Sequence, residues 1–174
     1  MRDLIEKFPE QISAAVTDMQ NKDAGLHKEV SSGFSPNGVL ILGMGGSGIG
    51  GAIASDILSH DSKIPVVANS DYLIPGWVSK STLVLACSYS GNTEETIEAV
   101  TSAHERGAKI AVITSGGTLG ELAEKHNWPF VSMPGGQPPR SQFGRSFVGL
   151  AWTLKPMVKC IKPTTTPSWV PIIL

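Results

Sequence analysis

The sequence predicts a doubly wound α/β domain in which a five-stranded parallel sheet is flanked by helices. Three observations carry that expectation. Short runs that are apolar throughout recur along the chain, as strands buried on both faces require. Stretches with a 3.6-residue period separate them, and such alternation is the pattern of parallel strands joined by crossover helices. Two of the strand-to-helix junctions are rich in glycine and hydroxyl residues, at the place where these folds bind ligands, beyond the carboxyl ends of the strands.

Taken in order, Pro9 suits the first turn of a helix, and Ile12, Ala15, Val16 and Met19 then share one face, so an amphipathic helix leads. Residues 31–37 read as a loop. The run GVLIL at 38–42 is the first strand, and residues 48–59 are the first crossover helix. Residues 65–68, 82–86, 109–113 and 129–132 supply the other strands, with helical patterns at 93–105 and 119–126 between them. Trp152, set between Leu150 and Leu154, reads as helix core. After Lys155 the alternation stops, so one domain over 1–155 is expected, with an irregular tail over 156–174 that ends in the apolar stretch SWVPIIL.

At 174 residues the chain suffices for one well-cored domain. A hydrophobic fraction of 41%, a charged fraction of 17% and a net charge of -1 describe an ordinary globular protein with no electrostatic pull towards nucleic acid or an anionic membrane. Neither a signal peptide nor a run of ~20 apolar residues is visible, so the expected location is cytoplasmic. Cys87 and Cys160 are too few for a disulfide framework or a cysteine metal site, and Cys87 reads as core. His27, His60, His104 and His126 lack the spacing of metal ligands and are expected to be solvated. Asp56 and Glu98 read as face charges of their helices.

The first junction, Gly43-Met44-Gly45-Gly46-Ser47-Gly48, satisfies the dinucleotide pattern G-x-G-x-x-G, and Asp71 stands where that pattern expects an acid. A tight turn relieved by glycine is the bland alternative. The second junction, Ser88-Tyr89-Ser90-Gly91-Asn92-Thr93, sets three hydroxyls and a glycine at the start of a helix, with Glu94 and Glu95 in its first turn. Hydroxyls and free N–H groups there can surround a phosphate monoester while the helix dipole favours its charge. Helix capping by Ser90 or Asn92 accounts for part of this pattern and leaves the repeated hydroxyls unexplained.

The pairing of GMGGSGIGG with SYSGNTEET, and Pro138-Pro139-Arg140 beyond the last strand, resembles the sugar isomerase (SIS) domain, in particular the first half of bifunctional phosphoglucose/phosphomannose isomerases. The resemblance covers residues 38–154. It implies a five-stranded flavodoxin-like sheet and a hexose 6-phosphate ligand held by Gly46, Ser47, Ser88, Ser90 and Thr93. It also implies a catalytic Arg140 that stabilises an enediolate during aldose–ketose isomerisation, no metal, no organic cofactor, and a homodimer. In that family a second, similar domain brings a glutamate base and a ring-opening histidine. This sequence stops at Leu174, so the expectation is the binding half of such an enzyme. Two other readings stand beside it: a non-catalytic module that senses a sugar phosphate, and a nucleotide-binding α/β domain.

Overall fold

The computed structural model of the chain describes residues 6–31, 34–60 and 62–158. Helix α1 (Phe8–Ser31) leads. The alternation then runs β1 (Gly38–Leu42), α2 (Gly45–Ser59), β2 (Val66–Asn69), β3 (Thr82–Ser88), α3 (Glu94–Glu105), β4 (Lys109–Thr114), α4 (Gly117–His126) and β5 (Phe130–Ser132). A 3-10 turn (Pro139–Gln142) enters α5 (Phe143–Val158).

All five strands are parallel, in the order β2-β1-β3-β4-β5. Strands β1, β3 and β4 lie inside the sheet and are buried almost throughout, which is why their sequences are unbroken apolar runs. Two cores sandwich the sheet. One gathers Ala15 and Met19 of α1, Ala54 of α2 and Val148, Leu150, Trp152 and Leu154 of α5 against Val39, Ile41, Leu83, Leu85 and Ile113. The other packs Ala99, Val100 and Ala103 of α3 and Leu119 and Ala123 of α4 against Leu40, Leu42, Val84, Ala86 and Val112. Alternate residues of one strand thus feed opposite cores, as the pleat dictates.

Strand order reverses between β1 and β3, where the chain, having gone outward to β2, returns past β1. This is the switch point at which open α/β sheets leave a crevice. The register pairs Leu42 with Ala86, so the junctions after β1 and β3 leave the sheet side by side.

Several boundaries differ from the sequence expectation. Helix α1, for which the sequence set no end before the loop expected at 31–37, runs to Ser31 with no proline to stop it. Helix α2 starts at Gly45 rather than 48, and β3 runs on to Ser88, making the first serine of the hydroxyl loop the last residue of a strand. Helix α5 extends to Val158, past the expected domain end at 155. The rest of the expected tail, with Cys160, lies outside the described residues.

Candidate functional site

The junction after β1 is built on backbone. The Met44 carbonyl accepts from the N–H groups of Ser47 and Gly48, both at 3.1 Å, and no side chain caps α2. A Cβ at Gly48 would lie 2.6 Å from the Gly43 carbonyl oxygen, and one at Gly51 2.8 Å from Ile41, so only glycine lets the helix start this close to its strand. The first N–H groups of α2, at Gly45 and Gly46, have no acceptor inside the helix and point out of its positive end. Gly46 and Ser47 are half-buried, and the Ser47 hydroxyl makes no hydrogen bond among the described residues.

Facing it, the junction after β3 is tied from within. The Ser88 hydroxyl, in a residue only 2% exposed, accepts the Gly91 N–H at 3.1 Å and lies 2.8 Å from the Thr93 hydroxyl. The exposed Ser90 accepts the Asn92 N–H at 3.3 Å. Thr93 is the N-cap of α3 but its hydroxyl serves Ser88 rather than the helix, so α3 too begins without a side-chain cap. Gly91 is at φ +71°, and a Cβ there would sit 1.7 Å from the Gly116 carbonyl oxygen. No other residue fits.

That clash identifies a third junction, after β4, which braces the second. Ser115 donates its N–H (3.1 Å) and its hydroxyl (2.6 Å) to the Tyr89 carbonyl. The Leu119 N–H reaches the Gly91 carbonyl at 2.9 Å, and the Asn92 side-chain oxygen accepts from the N–H and hydroxyl of Thr118 at 3.0 and 3.1 Å. Sequence reasoning missed this brace, although a signal for it exists: Ser115-Gly116-Gly117-Thr118 is another small-residue strand-to-helix junction. A fourth segment, after β5, carries Arg140 in the 3-10 turn, exposed and with no hydrogen bond or ion pair among the described residues.

Of the residues that sequence reasoning assigned to the two junctions, Gly46 and Ser47 lie in the first turn of α2, Ser88 ends β3, Ser90 is in the loop and Thr93 is the N-cap of α3. Two uncapped helix N-termini and the hydroxyls of Ser47, Ser88, Ser90 and Thr93 flank the switch-point crevice, an arrangement that can take an anion with several oxygens. Glu94 and Glu95, in the first turn of α3, oppose an anion on their outer side. Together with burial, which is the larger effect, and with Glu98, they push the phenol of Tyr72 above its ordinary range.

The side chains of the other candidates make no hydrogen bond to these junctions among the described residues, although Asp71 lies close by, next to Ser70, whose hydroxyl donates to the Gly43 carbonyl at 2.7 Å. Asp71 sits exposed after β2, its side chain accepting the Leu73 N–H at 3.4 Å within its own turn. Asp56 and Glu98 are exposed on their helices, as expected. Cys87 is core, and burial pushes its thiol up to about 12, which leaves it unreactive. Of the histidines, His60 is exposed, and the side chain of His27 lies outside the described residues. His104 and His126 are not simply solvated: their rings lie 4.3 Å apart and both pack on Trp128, at 5.3 and 5.0 Å, beside an open depression of about 550 Å³ between α3, α4 and the amino ends of β4 and β5. Among the described residues no group of three or more His, Cys, Asp or Glu is disposed to hold a metal ion, and no helix is long and apolar enough to cross a membrane.

Residues 34–126 match the SIS domain family. The bifunctional phosphoglucose/phosphomannose isomerase of Caldicellulosiruptor bescii is 41% identical over 150 residues, which are 86% of this chain and 43% of that protein. The chain thus spans less than half the length of this relative. Among solved structures, tagatose-6-phosphate ketose/aldose isomerase from Escherichia coli superposes with a TM-score of 0.66 at 18% identity, over 94% of this chain and 47% of that one. The Vibrio vulnificus NanR protein complexed with ManNAc-6P does so with a TM-score of 0.68 at 15% identity, over 90% and 62%. At such identities these two likenesses speak for the fold.

Proposed function

The chain belongs to the SIS domain family, and from that premise we propose that it binds a hexose 6-phosphate in the switch-point crevice, as the binding part of a phosphoglucose/phosphomannose-type aldose–ketose isomerase. The observation that carries the reading is the pair of adjacent junctions, one with the Ser47 hydroxyl, which has no partner among the described residues, and one built from Ser88, Ser90 and Thr93, each at an uncapped helix N-terminus. The phosphate takes hydrogen bonds from Ser47, Ser90 and Thr93 and from the N–H groups around Gly46, with charge-assisted strength. Ser88 shapes the loop from beneath, its hydroxyl paired with that of Thr93.

The sugar then extends towards Arg140, whose guanidinium carries no competing partner among the described residues. Moving a proton between adjacent sugar carbons passes through an enediolate, and a fixed cation beside the developing oxyanion lowers that barrier. The transfer also needs a base, a contribution of about 10²–10⁴-fold. None of the residues assigned to the crevice is one, so binding is proposed for these residues and turnover for the assembled enzyme.

Self-association in the cytoplasm completes the reading. Its support is the outer face of α2, where Ile49, Ile53 and Ile57 stand one turn apart and exposed, Ile49 to 56%. Calorimetry with fructose 6-phosphate and glucose 6-phosphate, paired with a coupled isomerase assay on the same preparation, tests the proposal. Saturable binding with turnover that disappears in Arg140→Ala supports an isomerase site. Binding without turnover is the outcome expected of this chain alone, since the base is left to the assembled enzyme; turnover still absent from the assembled enzyme supports a sensing module, and no binding of either sugar phosphate refutes the assignment.

A further inference from the structure

We propose that Tyr89 is a positioning residue that sets the place of Arg140 from the hydroxyl loop, an inference that rests on the assignment of those two loops to phosphate and sugar. Tyr89 stands in sequence between Ser88 and Ser90, yet its side chain belongs to the core on the α5 side, 8% exposed, in one cluster with Met133. Its hydroxyl donates to the Pro134 carbonyl at 3.0 Å and accepts the Gln137 N–H at 3.1 Å. One oxygen therefore pins both ends of the turn that leaves β5.

The residues beyond Gln137 make that pin matter. Pro138 and Pro139 come next and then Arg140, and proline rings fix φ at both residues between the pinned amide and the arginine. Pro138 is at φ -58°. The stretch upstream is the opposite: Gly135 and Gly136, the latter at φ +81°, hold no position by themselves. Arg140 has no bond of its own among the described residues, so its backbone alone locates it.

The other end of the strut is equally fixed. The Tyr89 carbonyl takes both Ser115 donors, so the residue is held between the brace after β4 and the turn after β5. The Tyr89 backbone is thus held by the brace, and through the phenol it fixes the path to Arg140. The hydroxyl loop and Arg140 are thereby kept in one frame by a rigid side chain and two prolines.

The test uses the full chain and the variants Tyr89→Phe, Arg140→Ala and both together. Tyr89→Phe keeps the ring in the core and removes only the hydroxyl. Hydrogen exchange of the Gln137 amide reads the strut without any ligand, and it should quicken in Tyr89→Phe. The ligand probes are inorganic phosphate, which reports the hydroxyl loop alone, and 6-phosphogluconate, whose C1 carboxylate would meet Arg140 when its phosphate sits in that loop. Tyr89→Phe should leave phosphate affinity unchanged, weaken 6-phosphogluconate by about 3- to 10-fold, and cause no further loss once Arg140 is alanine. Equal weakening of both ligands, a loss that persists in the Arg140→Ala background, or no loss at all overturns the proposal. A wild-type chain that binds neither probe instead overturns the reading of the loops and the proposal with it, while the Gln137 exchange rate still reports whether the strut is there.

Discussion

Replacing Ser88 by alanine separates a loop staple from a ligand site. The hydroxyl is buried, accepts the Gly91 N–H and pairs with Thr93. Its loss leaves the Gly91 N–H with the Ser88 carbonyl at 3.2 Å, so the folded state forfeits about one net hydrogen bond, ~1 kcal/mol. For a chain of this size that is a fall of roughly 2–4 °C in Tm. Thr93 loses the partner that aims its hydroxyl, and a charge-assisted bond to phosphate is worth ~1.5–3 kcal/mol, so fructose 6-phosphate should bind about 10- to 150-fold more weakly. Ser88→Asp should abolish binding, since a carboxylate ~4 Å from the phosphate repels it by about 4 kcal/mol per unit charge at an effective dielectric near 20. Calorimetry beside thermal melts reads both effects. A lowered Tm with ligand affinity unchanged would mean that Ser88 only staples the turn, and the cradle assignment would be wrong.

Gly91→Ala should cost more than Ser88→Ala, at least about 2 kcal/mol, because it combines a positive φ with a Cβ against the Gly116 carbonyl; denaturant titration and loss of sugar-phosphate binding are the readouts, and a near-neutral variant would contradict the packing described. The Thr96 hydroxyl, in the first turn of α3 and 2% exposed, finds no hydrogen-bond partner among the described residues, so Thr96→Val should raise Tm by roughly 2–4 °C with ligand affinity intact. A loss of affinity would show that this hydroxyl serves the ligand. Burial first, then the neighbouring His104 and Lys125, lowers the affinity of His126 for a proton below the ordinary histidine range. Because the unfolded chain protonates this ring more readily, its contribution is complete above neutral pH and is lost as pH falls through the histidine range, so the urea midpoint should drop there and His126→Gln should flatten the drop. A His126→Gln profile identical to wild type would contradict the ring cluster.

Much of this fold is legible in the chain itself. The strands are unbroken apolar runs because both sheet faces are covered, and the two crevice loops announce themselves by glycine and hydroxyls at strand ends. The lengths of α1 and β3 are less legible. Helix α1 continues through polar helix formers that carry no apolar period, and Ser88 is polar at the buried end of a strand because its hydroxyl turns back onto Gly91. The brace and the strut are hidden for a different reason. Ser115 reaches Tyr89 across 26 residues and Gln137 reaches the same side chain across 48, and no local periodicity records such pairings. A tyrosine among serines looks like a spacer. His104 and His126 likewise sit on separate helices, and only the packing of α3 beside α4 brings them onto Trp128.

The central claim is that a hexose 6-phosphate occupies the crevice between the start of α2 and the 88–93 loop. Amide chemical shifts recorded while fructose 6-phosphate is titrated into the labelled chain test it most directly. A hexose 6-phosphate held there predicts saturable shifts concentrated at Gly45, Gly46, Ser47, Ser90, Gly91, Glu94 and Glu95, a subset of which inorganic phosphate alone reproduces. Shifts confined to the surface around Asp71 or Trp128, or none at all, would contradict it.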